Sequence, residues 1–287
     1  VVYSVLGISE SDQTAIEVFT ESVQTIAGSL GLERTHQELE VSFAKQLVSY
    51  AVGVGFGRWD VSLGNQNPWL DDAAQQELLP TKQPGRYIGS DRFVELAEGG
   101  TAVGRSLYAM VSACLDQVFF DSSKSEEQLS SALGVARLEE YIESGAFFID
   151  HFDAYRKCPI YWPLSTPSGA YTLWVYYPNL TSQTLYTAIN DFVEPKLKQV
   201  GADVTSLRNK GSGRTRDDEK QFEALQAFEL ELIELRDTLL KLAPTYKPNH
   251  DDGVQISAAP LWPLFRHKPW QKVLKDTWAK LEKGDYD

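Results

Sequence analysis

Apolar residues along this 287-residue chain recur mostly at helical spacing. Residues 9–27 open with Ser9 and Ser11, hydroxyls suited to capping, and continue with Ile16, Phe19, Val23 and Ile26. A second stripe of Leu39, Phe43, Leu47, Ala51 and Val54 predicts a helix from about Glu33 to Val54. It ends in the glycine-rich run Gly53-Val54-Gly55-Phe56-Gly57-Arg58-Trp59. Residues 60–90 are rich in Pro, Gly, Asn and Asp and predict a long loop. Helical spacing resumes at 91–98 and at 104–120, where Leu107, Met110, Val111, Leu115 and Val118 share a face. From Ser123 to Asp153 the pattern predicts two further helices, broken near Gly134 and Gly145.

The period then changes. Ile160–Leu164 and Tyr171–Tyr177 are aromatic and β-branched runs around Ser165-Thr166-Pro167-Ser168-Gly169, which predicts a β-hairpin. Helix returns at 181–199, with a kink expected at Pro195. Leu207–Arg216 is polar, contains Gly211 and Gly213, and reads as a mobile loop. In 217–243, Leu225, Phe228, Leu232, Leu235, Leu239 and Leu242 are spaced 3, 4, 3, 4, 3. That seam predicts a helix packed on another helix, either the 181–199 segment in an antiparallel hairpin or a second subunit. Pro269 opens a last amphipathic segment carrying Trp270, Val273, Leu274, Trp278 and Leu281. The fold class expected is mainly α with a small antiparallel β element, bundle-like, with the hairpin around 160–177. Two parts are expected: an acidic helical region over 1–150, then the hairpin, a long helical hairpin and a C-terminal helix over 151–287.

Charge changes this picture. The net charge is −13, which argues against a generic basic DNA-binding module. The distribution is uneven: 151–216 carries 8 basic and 4 acidic residues, and 240–287 carries 8 and 6, whereas 1–150 carries 9 and 22. The two cysteines, Cys114 and Cys158, read as reduced thiols of a cytoplasmic protein rather than a disulfide framework. No apolar run reaches the ~20 residues of a membrane span, and no signal peptide is visible. The chain opens on Val1, not Met, and ends in Gly284-Asp285-Tyr286-Asp287 straight after a helical pattern, so it is expected to be a fragment of a longer protein.

Catalytic chemistry is not apparent. Gly53-x-Gly55-x-Gly57 misses the dinucleotide fingerprint and follows a helical pattern, so close helix packing is its better account. Asn67-Pro68-Trp69 resembles half of the motif by which adenine methyltransferases grip a flipped base, but the second Pro is missing and a loop turn is expected. Glu194-Pro195-Lys196 has a nuclease-like spacing on what reads as a helix rather than a strand. His36, His151, His250 and His267 show no metal-ligand spacing, and His250-Asp251-Asp252 reads as a hydrogen-bonded turn. No catalytic, cofactor-binding or metal-ligating residue is assigned.

Binding chemistry is more visible. Arg156 and Lys157 lead into a strand with Tyr161 and Trp162; cations position phosphates, while aromatic faces stack on bases or fill a core. By alternation, one hairpin face would be core and the other could meet a ligand. Arg208, Lys210, Arg214 and Arg216 form a second basic group, Arg266 and Lys268 a third, and Arg58 follows the glycine run. Each has a plain alternative as a solvated or ion-paired surface.

Read as strings, several segments resemble one family. Ser49-Tyr50-Ala51-Val52-Gly53 with Phe56-Gly57-Arg58-Trp59, Lys157-Cys158-Pro159-Ile160-Tyr161-Trp162, Asn190-Asp191-Phe192-Val193, and Asp251-Asp252-Gly253-Val254 are similar to successive stretches of PglX-type adenine-specific DNA methyltransferases. Those enzymes belong to BREX phage-defence systems and related restriction-modification systems. Ala258-Ala259-Pro260-Leu261-Trp262 and Trp278-Ala279-Lys280-Leu281-Glu282 resemble the tail of that family. The family has Arg where this chain carries Cys158, so no guanidinium stands there. The resemblance implies a bacterial cytoplasmic parent that transfers a methyl group from S-adenosylmethionine to adenine in double-stranded DNA. Catalytic and cofactor motifs would lie upstream of Val1. This chain would then be a non-catalytic recognition and clamping region, partnered by DNA and the upstream domain. The rival expectation is a helical scaffold that docks other defence proteins without touching DNA.

Overall fold

Small side chains decide the first helix. In α1 (His36–Gly55), Ala44, Val48, Ala51 and Val52 are buried, whereas Phe43 and Leu47 of the expected stripe are only half-buried. The buried stripe is rotated because small residues let α2 (Leu107–Val118) approach closely. A Cβ at Gly55 would overlap Met110 Cε of α2. The glycine run is therefore a packing and termination signal. Arg58 N–H donates to Gly53 O at 2.8 Å and Gly57 N–H to Val54 O at 2.9 Å, with Gly57 left-handed at φ 70°, a Schellman end.

The computed structural model describes residues 36–58, 93–96, 106–118, 122–251 and 253–285. The expectations for 9–27, for the 60–90 loop and for Asn67-Pro68-Trp69 lie outside them. The described residues form two compact units, one within 1–87 and 107–150, the other within 88–106 and 151–287. The architecture is mainly α with a small antiparallel sheet.

The first unit adds α3 (Ser122–Leu133), α4 (Leu138–Glu143) and the start of α5 (Ala146–Ala154) to α1 and α2. The breaks fall at Gly134 and Gly145, both left-handed, but they delimit three helices rather than two. Tyr141 donates to Asp150 Oδ2 at 2.6 Å, and Lys45 pairs with Asp150 Oδ1 at 2.6 Å.

In the second unit the hairpin forms as expected. β2 (Tyr161–Ser165) pairs antiparallel with β3 (Thr172–Tyr176), with Trp162 opposite Val175 and Leu164 opposite Leu173. Pro167 and left-handed Gly169 shape the turn, closed by Gly169 N–H to Thr166 O at 2.9 Å. The segment expected to be helical at 91–98 is instead strand β1 (Phe93–Leu96), which pairs antiparallel with β3 and makes β3 the central strand. Four residues are too few for a period to separate strand from helix.

After a short α6 (Thr184–Thr187), the helix widens into a π segment over Ala188–Val193 and continues as α7 (Glu194–Asn209). Pro195 lacks an N–H and crowds the preceding turn, and the π segment accommodates it. Glu194-Pro195-Lys196 thus opens a helix, and the Lys196 side chain is buried. α7 runs ten residues past the expected end because Val200, Val204 and Leu207 form a buried stripe. α8 (Arg216–Leu242) packs antiparallel against α7 and buries Leu232, Leu235 and Leu239. The seam is internal to the chain. A short α9 (Val254–Ala258) and a 3-10 stretch over Ala259–Leu264 lead to α10 (Lys268–Lys283), which buries Trp270, Leu274 and Thr277.

Among the described residues, no helix is long and apolar enough to cross a membrane. Cys114 is buried, Cys158 exposed, and neither is in a disulfide. Burial pushes the Cys114 thiol up to about 11.

An internal seam makes a definite demand on stability. Leu235→Ala should cost about 2–5 kcal/mol, read as a lower urea midpoint. Leu232→Asp with Leu235→Asp should abolish the cooperative helical transition of the second unit, whereas a folded double variant would mean that the seam is not internal.

Candidate nucleic-acid interface

Of the residues expected to bind, Arg58 belongs to the first unit and ends α1; the other ten belong to the second. Tyr161 and Trp162 are both 0% exposed and unavailable for stacking on bases. Trp162 Nε1 donates to Pro159 O at 2.7 Å, and its ring stacks on Tyr177 at 5.3 Å and meets Phe265 edge-on at 6.1 Å. The Tyr161 ring lies 4.8 Å from His151 and 5.3 Å from Tyr176. The expectation of one open hairpin face fails, because successive residues of β2 and β3 are buried on both faces. Alternation was hidden by an aromatic run that suits burial on either side.

Arg156 and Lys157 remain exposed. They sit in the Schellman end of α5, where Lys157 N–H donates to Phe152 O at 2.8 Å and Arg156 N–H to Asp153 O at 3.0 Å. Both are left-handed, with φ 51° and 67°. Each non-glycine residue there costs on the order of 1 kcal/mol.

The polar 207–216 segment is a tight helix–helix corner and not an extended loop. A 3-10 turn at Gly211–Gly213 separates α7 from the Thr215 cap of α8. Thr215 Oγ1 accepts from Asp218 N–H at 3.1 Å, and Asp218 Oδ2 accepts from Thr215 N–H at 2.9 Å, a capping box. Lys210 Nζ meets Asp218 Oδ1 at 2.6 Å. Arg214 lies over the Phe222 ring at 4.5 Å, with its Nε 3.3 Å from Glu219. Two of the four cations, Lys210 and Arg214, are thus engaged within the corner. Arg208 and Arg216 are exposed and make no ion pair among the described residues.

Arg266 also turns inward: its Nη2 donates to Ser165 O at 2.7 Å. Burial lowers its pKa, opposed by Glu234 and Glu231. Glu231 accepts from the Ser168 hydroxyl at 2.6 Å and from its amide at 3.1 Å. Burial raises the Glu231 pKa, but the Ser168 hydroxyl and amide pull it below the usual range on balance. Arg266 and Glu231 therefore clamp the hairpin end. Lys268 is exposed at the start of α10.

No local sequence signal marks the role of His151. It is 3% exposed, and its Nε2 accepts from the backbone N–H of Ile160 at 3.0 Å and of Tyr161 at 3.2 Å. An accepting Nε2 requires the neutral ring, protonated on Nδ1. Only the tertiary fold brings residue 151 to the start of β2. Among the described residues, no group of three His, Cys, Asp or Glu could hold a metal. The His250 stretch is a turn in which Asn249 Oδ1 accepts from Asp251 N–H at 3.0 Å, with Asp252 outside the described residues. The first unit holds a cleft of about 780 Å³ between α1 and α3, lined by Val41, Ala44, Leu47 and Leu129 with Glu40 and Lys124.

The corner has a testable pH signature. Lys210, then the Thr215 amide and hydroxyl, hold Asp218 down at about 2. A depressed carboxylate stabilises above its unfolded value of about 3.9, so this contribution is present at neutral pH and lost as pH falls through about 2. An NMR titration of the Asp218 carboxyl should show that midpoint, and Lys210→Ala should raise it; an unmoved midpoint would discount the contact. Replacing His151 by Phe should strand the buried Tyr161 amide and the part-buried Ile160 amide and cost about 2–5 kcal/mol, with His151→Gln milder in thermal unfolding. No protein-family model matches the chain, and no curated protein matches it in sequence.

Proposed function

We propose that this chain is a non-catalytic DNA-recognition and clamping region of an adenine-specific, S-adenosylmethionine-dependent DNA methyltransferase acting in phage defence or restriction-modification. The observation that carries the reading is that five of the residues expected to bind, Arg156, Lys157, Arg208, Arg216 and Lys268, are exposed on the second unit and make no ion pair among the described residues. In a chain of net charge −13, unpaired cations held on one unit suit a polyanion better than general solubility. The ordered resemblance of segments from Ser49 to Glu282 to the PglX-type family supplies the enzyme class. The methyl donor and its binding residues would belong to the parent's upstream domain, in the bacterial cytoplasm where DNA is met. The buried Tyr161 and Trp162 serve this function as scaffold and not as base-stacking surfaces.

A second reading has its own observation. Leu230 is 67% exposed and Leu240 47% exposed on the outer side of α8, and apolar side chains there suit a docked protein of the same defence system.

Fluorescence anisotropy of a labelled duplex of about 30 base pairs should show saturable binding that weakens steeply with salt. Arg208→Ala with Arg216→Ala should reduce the log–log salt slope by about 2. Absence of duplex binding at low salt, together with capture of a defence-system partner that is lost in Leu230→Glu, would replace the first reading by the second.

A further inference from the structure

We propose that the outer face of α10, joined at its N-terminal end by the Arg156–Lys157 corner, is a linear phosphate-tracking surface for duplex nucleic acid. This rests on the DNA-binding reading and assigns it a place outside the 151–216 basic region. At 100° per residue, Lys268, Lys272, Lys275 and Lys283 fall within an arc of about 80°. All four are exposed. The opposite side of the helix carries Trp270, Leu274 and Thr277, all buried, so packing fixes which way the lysines face. Lys268, Lys272 and Lys283 make no ion pair among the described residues, while Lys275 Nζ lies over the Trp262 ring at 4.9 Å. Asp276 and Glu282 flank the stripe, and Lys280 lies beyond Asp276.

The corner lies alongside the first turn of this helix. The Phe152 ring is 4.8 Å from His267 and 5.7 Å from Trp270, and Lys157 N–H donates to Phe152 O at 2.8 Å. Asp153, beside His267, is the acid that faces this end. Arg156 and Lys157 occupy left-handed positions that glycine fills without strain.

Geometry selects the ligand. From Lys268 to Lys283 the helix rises about 22 Å, the length of about six base-pair steps of a duplex. A row of point charges over that distance follows an extended polyanion, whereas a small anion needs donors converging on one point. A membrane surface fits less well, because the apolar face that would enter lipid is already in the core.

The test uses the whole chain, the labelled duplex of about 30 base pairs, and vesicles of phosphatidylserine and phosphatidylcholine. The variant K268Q/K272Q/K283Q keeps strong helix formers, and its thermal melt should match the parent. Its duplex Kd should rise at least about tenfold near 0.1 M salt, and its salt slope should shrink by about 2–3. Arg156→Gly with Lys157→Gly should bind more weakly yet melt higher, the opposite of what loss of a structural contact would do. If the parent binds duplex and the lysine variant binds it equally with an unchanged slope, the track is wrong and the DNA reading stands. If the parent binds no duplex at low salt, both fall. Binding of vesicles in preference to duplex, lost in the lysine variant, overturns the proposal in favour of a membrane surface.

Discussion

The second unit depends on covering a small sheet from both sides. β3 is the central strand of three, and Leu173, Trp174 and Val175 are at most 1% exposed. A strand in that position has no solvent to satisfy its backbone, so its ladder must be complete on both edges. Three short strands also bury too little surface to stand alone. The helices and the 3-10 stretch supply the remaining cover: α5 through His151 against Tyr161, α8 through Phe228 against Tyr171 at 6.5 Å, and Phe265 against Trp162. Polar groups near the sheet are held to the same accounting. His151 takes the two amides that enter β2, Ser165 and Thr172 hydroxyls bond across the strands at 2.8 Å, and Arg266 and Glu231 hold the turn end. The aromatic richness of 160–177 is a consequence of burial on two faces.

What was legible in the sequence follows from which signals are local. The hairpin was readable because a β-branched aromatic run, a Pro-Ser-Gly turn and a second such run are contiguous. The α8 seam was readable because six apolar residues kept a strict heptad, and its antiparallel partner was the nearest preceding helix. The glycine breaks at Gly134 and Gly145 were readable for the same reason. β1 was not, because four residues carry no period and its identity comes from pairing with residues about eighty positions away. The length of α7 was missed because its buried stripe of Val200, Val204 and Leu207 is narrow and its other faces are polar, so composition pointed to a loop. In α1 part of the expected stripe is core, with Ala51 and Val54 buried, while the close approach of α2 selects Ala44, Val48 and Gly55 in place of Phe43 and Leu47.

The candidate interface was legible only as a set of residue types. Sequence could mark eleven side chains but could not separate cations used inside the fold from those left over. The structure divides them: Lys210, Arg214 and Arg266 close a corner or a hairpin, and Tyr161 and Trp162 are core. The lysines of α10 escaped notice because each is an ordinary exposed residue of an amphipathic helix. Their alignment matters only once the buried side of that helix is fixed by Trp270 and Leu274.

Charge placement then bears on how an acidic chain can meet an acidic ligand. Acids dominate the α8 stretch, where Asp217, Asp218 and Glu219 suit the positive end of the helix dipole, and one of them locks Lys210. Such acids do local structural service and are partly neutralised where they stand. Screening confines each exposed charge to a range of about 8–10 Å at physiological salt, so a ligand responds to the nearest face and not to the total of −13. A helix about 22 Å long offers a lysine face longer than two screening lengths, so a polyanion laid along it would meet the stripe's positive charge before the total. An acidic total combined with a narrow basic face therefore favours selectivity of approach over general stickiness.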